Sequence, residues 1–326
     1  MHFTETVQMS DLIHDDYRLL QVISRFGVSL GFGNQSIDAA CKASGVDTST
    51  FLAVVNFIQN GGHLPVSELA EEVSVPELMR YLQRSHAYFL DFRLPAIRRK
   101  LISAIDYSTK NQIGFLILKY YDEYAAEVQR HMEYENSHIH TYVQQLLDGQ
   151  VPTRHADYTE LAHQHRDNHS SINKSSHELK SIIVKYYSGN TDTQLLADTL
   201  MDIYIMEEDL FSHCHLEDTL FAEAVHLLEN EVKAKVGNGP ADTALSRTMP
   251  PPDASSEELS EREKEVIQLV VRGLSNKEIA EKMFISANTV MTHRRNIARK
   301  TQIHSPAGLT IYAIVNGLIN LEDVRL

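Results

Sequence analysis

Cysteine is almost missing from this chain of 326 residues: only Cys41 and Cys214 occur, far apart. Two thiols make no disulfide framework, so a reducing, cytoplasmic setting is expected. Basic residues are also short, 30 Lys and Arg against 44 Asp and Glu, a net charge of −14. That balance excludes a generally basic nucleic-acid coat, but leaves room for one local basic element. No stretch approaches about 18 apolar residues, so no membrane span is expected. The opening MHFTETVQMSDLIHDDY lacks the basic-then-apolar order of a signal peptide. Strand-like alternation is absent, which leaves an all-α chain. No phosphoacceptor receiver domain is evident. Histidine, by contrast, is abundant: 17 residues, 11 of them between His131 and His226.

Four segments follow from the texture of the chain. Residues 1–72 read as a small N-terminal helical domain. Ser10 should cap a helix stopped by Gly27, Ser36 one stopped by Gly45, and Thr48 to Gln59 form a third. Residues 73–234 read as an up-down four-helix bundle. Ser74-x-x-Glu77 with Pro76 marks its first helix start, and Pro95 should kink that helix. Long apolar-periodic patterns continue over about 111–147, 158–187 and 191–232. Residues 235–256 are rich in Gly, Pro, Ala and Ser and read as a linker. Residues 257–326 read as a separate small domain.

The histidines in the second segment obey one spacing. His131 and Glu135 form a His-x-x-x-Glu pair, and His213 and Glu217 form another. His86 stands 45 residues before His131, and His169 stands 44 before His213. A four-residue step turns about 400° on a helix, so each pair projects from one face. The repeated spacing is that of a duplicated helical hairpin. Four imidazoles and two carboxylates converging in a bundle make a two-metal site, and such ligands without thiolate suit iron, manganese or zinc. Glu135 and Glu217 can each bridge two metals. His86 with His131 and His169 with His213 is one pairing, though spacing leaves others open. The remaining histidines of this segment (His138, His140, His155, His163, His165, His177, His215, His226) are read as polar residues on helix faces.

The motifs SHAYFLDFRLPAI, RHMEYE, NHSSINKSSHELKSIIVKY and HCHLEDTLF resemble the hemerythrin-like domain of repair-of-iron-centres proteins over about 75–232. That resemblance implies a non-haem di-iron site with His86, His131, Glu135, His169, His213 and Glu217 as ligands, and O₂ or nitric oxide as small ligands. RFGVSLGFGNQSIDAACKASGVD is similar to the N-terminal domain of the same proteins. Members usually carry adjacent cysteines where this chain has Gly31 and Phe32, so thiol chemistry is not expected there, and Cys41 reads as a small buried side chain.

The last segment opens on Ser260 and Glu263 as a capping box, followed by a helix ended at Gly273, a short helix from Asn276 to Met283, and a third capped by Ser286. That is a helix-turn-helix whose third helix would enter the major groove. From Ser286 to Tyr312 there are four cations (Arg294, Arg295, Arg299, Lys300) and no acid. In so acidic a chain this stripe is the expected phosphate-facing element. The segment resembles the LuxR-type (GerE-like) DNA-binding domain through Leu259-Ser260-x-Arg262-Glu263, Gly273, Ser275-Asn276-Lys277-Glu278-Ile279-Ala280, Ile285-Ser286, Thr289-Val290, His293 and Lys300. The resemblance implies that Met291, Thr292 and Arg295 face the groove, with Lys277 and Thr289 near phosphates. It also implies a last helix, Ala307 to Ile319, through which such domains pair, hence a homodimer on double-stranded promoter DNA.

Two functions of different classes fit these segments. The first is a one-component transcriptional regulator that senses O₂, nitric oxide, oxidative stress or iron through a di-iron site. The second is an iron–sulfur cluster repair protein, or one that consumes nitric oxide or peroxide. The complete C-terminal domain favours the first, so no enzyme is expected beyond weak oxidase, peroxidase or nitric oxide reductase activity.

Overall fold

The computed structural model describes residues 2–63, 65–105, 112–152, 157–187, 193–236, 259–301 and 303–319. The fold is all-α as expected. Among the described residues every regular element is helical, apart from one isolated bridge between Gln8 and Ser36. No helix among them is long and apolar enough to cross a membrane. The expected linker, 235–256, lies almost wholly outside the described residues. The chain divides into two compact units, and the division falls within the long helices.

The first unit comprises Met1–Ala96, Glu127–Ser170 and Tyr204–Ala241. The single helix expected between Ser10 and Gly27 is two, Met9–Asp15 and Leu19–Phe26. Asp16 causes the break: its carboxylate accepts from the Arg18 backbone N–H at 3.0 Å and from the Arg18 guanidinium at 2.9 Å. A short acidic side chain thus competes with the helical bonding pattern, and Ser10 is not the cap. Ser36 and Asp47 do cap their helices, Ile37–Ala43 and Thr48–Gln59. A short helix, Val66–Glu72, follows. Ser74 stands at the N-cap of Val75–Ala87 but makes no side-chain cap bond; its own N–H donates to Thr50 Oγ1 at 2.8 Å, and the Glu77 carboxylate pairs with Arg80.

Among the described residues, three π-helical turns interrupt the long helices. Tyr88–Arg93 separates Val75–Ala87 from Leu94–Ala104. The kink expected at Pro95 takes this form: a proline lacks one N–H and crowds the carbonyl four residues back, and the widened turn before it absorbs both. The second follows Gln112–Tyr134 at Glu135–Ile139 and leads into His140–Leu147. The third helix, Tyr158–Tyr186, has none. The fourth runs Thr193–Leu216, then the π turn Glu217–Phe221, then Ala222–Val236. Phe26, Phe51, Leu78, Val143, Leu161, Phe221 and Val225 share one apolar core, so the N-terminal helices pack on the ends of the long ones. Arg25 locks that packing. Its buried guanidinium is bidentate on Asp209 at 2.8 and 2.6 Å and lies over the Tyr88 and Phe89 rings.

The second unit comprises Ile97–Ala126, Ser171–Ile203 and Asp242–Leu326. It buries Leu101, Ile117, Tyr121, Leu179 and Ile182. Its last part is a four-helix domain: Glu261–Val271, Asn276–Met283, Ala287–Thr301 and Pro306–Val315. The last helix ends four residues before the expected Ile319. Gly317 turns the chain at φ 66°, and Ile319 folds back into the domain core with Val266, Val290 and Ile297.

Candidate metal centre and nucleic-acid interface

All six spaced residues lie in the first unit, and all six are buried there. Five of them stand within four residues of a π turn or inside one, and His169 lies on the uninterrupted helix Tyr158–Tyr186. Glu135 and Glu217 are the first residues of two of these turns, and His86 precedes the third by two positions. Nε2 of His86 lies 3.1 Å from Nε2 of His213 and 3.1 Å from Oε2 of Glu135. The other oxygen of Glu135 is 3.1 Å from Nε2 of His131 and 3.5 Å from Nε2 of His169. Oε2 of Glu217 is 4.0 Å from Nε2 of His169 and 3.8 Å from Nε2 of His213. Both carboxylates therefore face imidazoles of two groups. Metal-competent atoms of His86, Glu135, His213 and Glu217 lie within 4.8 Å of one another, as do those of His131, His169 and Cys214. The geometry groups His86 with His213 and His131 with His169. This differs from the pairing of His86 with His131, because each group takes one histidine from each half of the duplication.

The two halves also orient their lone histidines alike. Asn136, directly after Glu135, accepts from Nδ1 of His86 at 2.9 Å. Asp218, directly after Glu217, accepts from Nδ1 of His169 at 2.9 Å. Fixing Nδ1–H in this way leaves each Nε2 lone pair turned to the interior, the arrangement of a metal-binding imidazole. Asn136 and Asp218 were not singled out from the sequence. Nor was His140, which is buried, shares the Asn136 oxygen at 3.1 Å and stacks on His86 with ring centroids 5.5 Å apart. His177 is exposed, as a polar helix-face residue should be, while His155 and the side chains of His163 and His165 lie outside the described residues.

The site is rich in acceptors. Both oxygens of Glu217 and Nδ1 of His213 are buried with no hydrogen-bond partner among the described residues. Burial, and then the neighbouring charge of Glu135, push the Glu217 carboxyl well above its ordinary range. Burial opposes ionisation of Glu135 as well, but bonds from His131, His169 and His86 hold its carboxyl well below that range. Burial and the neighbouring His86 drive His213 well below the usual imidazole value. Two buried carboxylates this close stay ionised together only with compensating positive charge. The donor set of imidazole and carboxylate, with unpartnered buried oxygen, fits a pair of transition-metal ions. Cys41, by contrast, is fully buried among apolar side chains of the N-terminal helices, and burial pushes its thiol up to about 12. That leaves it unreactive, in keeping with the plain Gly31-Phe32 loop.

The helix-turn-helix forms as the capping residues demand. Ser260 and Glu263 make the expected capping box, and Ser275 with Glu278 makes a second. Ser286 accepts from the Thr289 N–H at 3.1 Å and so starts Ala287–Thr301. Val290 and Ile297 anchor that helix inward, which leaves Thr289, Met291, Thr292, Arg295 and Arg299 exposed, along with Lys277 on the helix before. Two of the expected DNA contacts serve the domain itself. Arg294 donates to Asn276 at 2.8 Å, and Lys300 pairs with buried Glu263 at 3.0 Å. The sequence also gave no warning of Phe284, which ends Asn276–Met283 with φ 57° and is 94% exposed beside the basic helix.

The Glu263–Lys300 pair has a pH signature. Burial raises the Glu263 carboxyl, but the Ser260 backbone N–H and the Lys300 ammonium outweigh it and hold the group below its ordinary 4.5. A depressed carboxyl contributes stability that is complete above the ordinary value and lost as pH falls through the lowered one. The domain should therefore soften below about pH 4.5. Glu263→Gln should cost about 1.5–3 kcal/mol at pH 7, as expected for a hydrogen bond to a charged group. In thermal melts of the two proteins from pH 7 to 3, the gap should narrow with acid. A constant gap would show that the pair carries no linked proton.

One further contact lies within the second unit. Glu178, buried on helix Tyr158–Tyr186, accepts from the backbone N–H of His304 at 3.1 Å and of Ser305 at 3.3 Å, and from the Ser305 hydroxyl at 2.7 Å. These groups form the N-terminus of the last helix, Pro306–Val315, where a carboxylate complements the helix dipole. A methyl group on Gly308 would fall on the Glu178 carboxylate, and Tyr186 meets Tyr312 edge-on at 6.1 Å.

Residues 257–313 match the family described as bacterial regulatory proteins, luxR family. The chain is 41% identical over 68 residues to the transcriptional regulatory protein MctR of Rhizobium johnstonii, covering 21% of this chain and 32% of that protein. It is 29% identical over 134 residues to a nitrate/nitrite response regulator protein homolog of Haemophilus influenzae, covering 41% of this chain and 60% of that one. It is 42% identical over 62 residues to the oxygen regulatory protein NreC of Staphylococcus carnosus, covering 19% and 29%. The chain thus spans between 29% and 60% of the length of these relatives. No solved structure matches it. The C-terminal segment is a LuxR-type helix-turn-helix domain.

Proposed function

We propose that this chain, with its C-terminal LuxR-type domain, is a one-component transcriptional regulator whose DNA affinity is set by a non-haem di-iron centre. His86, His131, His169 and His213 would hold the metals by Nε2, and Glu135 and Glu217 would add carboxylate oxygens. Two irons there would supply open coordination positions and a change of oxidation state on meeting O₂, nitric oxide or another oxidant. The observation that carries the reading is the convergence of six buried donors in a chain that also presents Lys277, Thr289, Met291, Thr292, Arg295 and Arg299 on the surface of a helix-turn-helix. Manganese or zinc, which the same imidazole and carboxylate donors would also suit, is the alternative metal. Pairing of two copies through the last helix would match a DNA site of two-fold symmetry.

Supporting a link between the two functions is helix Tyr158–Tyr186. It carries the candidate ligand His169 and, nine positions on, Glu178 at the start of the last helix of the DNA-binding domain. A change in how Glu217 and Asp218 hold His169 bears on that helix directly. A ligand shifts an equilibrium only through a difference in affinity for two states. Couplings of this kind amount to about 1–3 kcal/mol, or about 5–150-fold in affinity. The test is an anaerobic titration of the protein against DNA from its own promoter, in the diferrous form and after O₂ or nitric oxide. The two forms should differ by that factor. The difference should collapse in Glu178→Ala with its iron content unchanged. Equal affinities within about twofold, with iron present and reacted, would return an iron-centred enzyme or repair role to first place.

A further inference from the structure

We propose that Cys214 is a sulfur ligand of one metal, so that the two positions of the centre are chemically unequal. This rests on the di-metal reading of the site and goes beyond its six donors. Cys214 stands one residue after His213 and three before Glu217, in the last turn of Thr193–Leu216. Positions three and four residues before Glu217 share its face of the helix, so His213 and Cys214 both look into the site. Sγ of Cys214 lies within 4.8 Å of ligand atoms of His131 and His169, and all three residues are buried. The duplication makes the asymmetry plain. The residue after His131 is Met132, fully buried, and its counterpart after His213 is this thiol.

A buried cysteine is ordinarily a small hydrophobe, and Cys41 is that case here. Cys214 differs by its neighbours, two imidazoles on elements that each carry a candidate ligand. On binding a divalent ion the thiol would give its proton to solvent, and the thiolate would take the coordination position. No electron is transferred in that step. The His131–His169 position would then offer two nitrogens, a sulfur and an oxygen of Glu135. The His86–His213 position has nitrogen and oxygen alone. A soft donor on one side favours iron, cobalt or zinc there over manganese or magnesium. It makes the two metals differ in potential and in affinity for small ligands.

Cobalt(II) reports the difference, because a thiolate bound to it gives a charge-transfer band in the near ultraviolet that nitrogen and oxygen donors do not. The full-length chain, stripped and reloaded anaerobically with cobalt(II), should show this band growing with the metal at the His131–His169 position. Cys41→Ser should keep it. Cys214→Ser should lose it while still binding cobalt at the other position. Full loading without the band in the unaltered protein would overturn the ligand role of Cys214 and leave the six-donor site standing. Failure of the unaltered protein to bind either cobalt or iron would overturn the metal reading itself, and the ligand role with it.

Discussion

Glu217→Gln should stabilise the metal-free protein and destabilise the metal-loaded one. Without metal, Glu217 faces Glu135 in a buried site, its carboxyl pushed well up by burial and by that charge. An amide removes the conflict at nearly the same volume. With metal, the same change removes a charged ligand and leaves the cation undercompensated. Loaded wild-type protein should hold about two irons per chain, the number that four imidazoles and two carboxylates in one buried cluster would serve. At a metal concentration about 1,000-fold above the dissociation constant, binding adds about 4 kcal/mol to stability. For a domain of 150–250 residues that is about 8–16 °C in melting temperature. His131→Ala should lose most of that gain and much of the iron. His177→Ala, at an exposed position, should lose neither. Metal analysis and paired melts with and without chelator decide the matter: if both ligand variants keep full iron and the full shift, these residues do not hold the metal.

Arg295→Ala should have the other large effect, on DNA. Arg295 is exposed on Ala287–Thr301, on the turn of the helix that also exposes Met291 and Thr292. An arginine reading guanine edges contributes about 1–3 kcal/mol of discrimination, about 5–150-fold. Its removal should flatten the preference for the cognate site over unrelated DNA. Arg299→Ala should weaken all sequences alike and lower the salt slope by about one. Lys300→Ala should behave differently from both, because Lys300 is paired with Glu263 and its loss should appear in domain stability first. Competition titrations at several salt concentrations separate the three. Unchanged preference in Arg295→Ala would place the groove-reading face elsewhere.

Much of the architecture was legible because helical periodicity and ligand spacing are local properties. His131–Glu135 and His213–Glu217 could be assigned to single helix faces from a four-residue step alone. The grouping of His86 with His213 was not legible, since spacing fixes faces and does not say which helices are neighbours. Asn136 and Asp218 were hidden for another reason. On a regular α-helix the residue after a glutamate points about 100° away from it. The π turns that begin at Glu135 and Glu217 change that relation, and no residue pattern announces them. Lys300 looked like part of a basic stripe because its partner, Glu263, is 37 residues back. The break at Asp16 arose from a side chain bonding two residues ahead, a competition that apolar periodicity ignores.

The π turns also carry a meaning for insertion and deletion. Such a turn holds one residue more than the α turn it replaces. Five residues of a π turn cover about the arc that four cover in an α-helix, so removing one residue from 136–139 would restore an ordinary helix there and leave the segments on either side in phase. Tyr142, Val143 and Leu146, all buried after that turn, would keep their facing relative to Glu135. What would change is the local placement of Asn136 against His86 and His140. The same deletion in Tyr158–Tyr186, which has no such turn, would rotate everything beyond it by about 100°. The π turns are thus where this bundle tolerates a change of length, and the helix of His169 is where it does not.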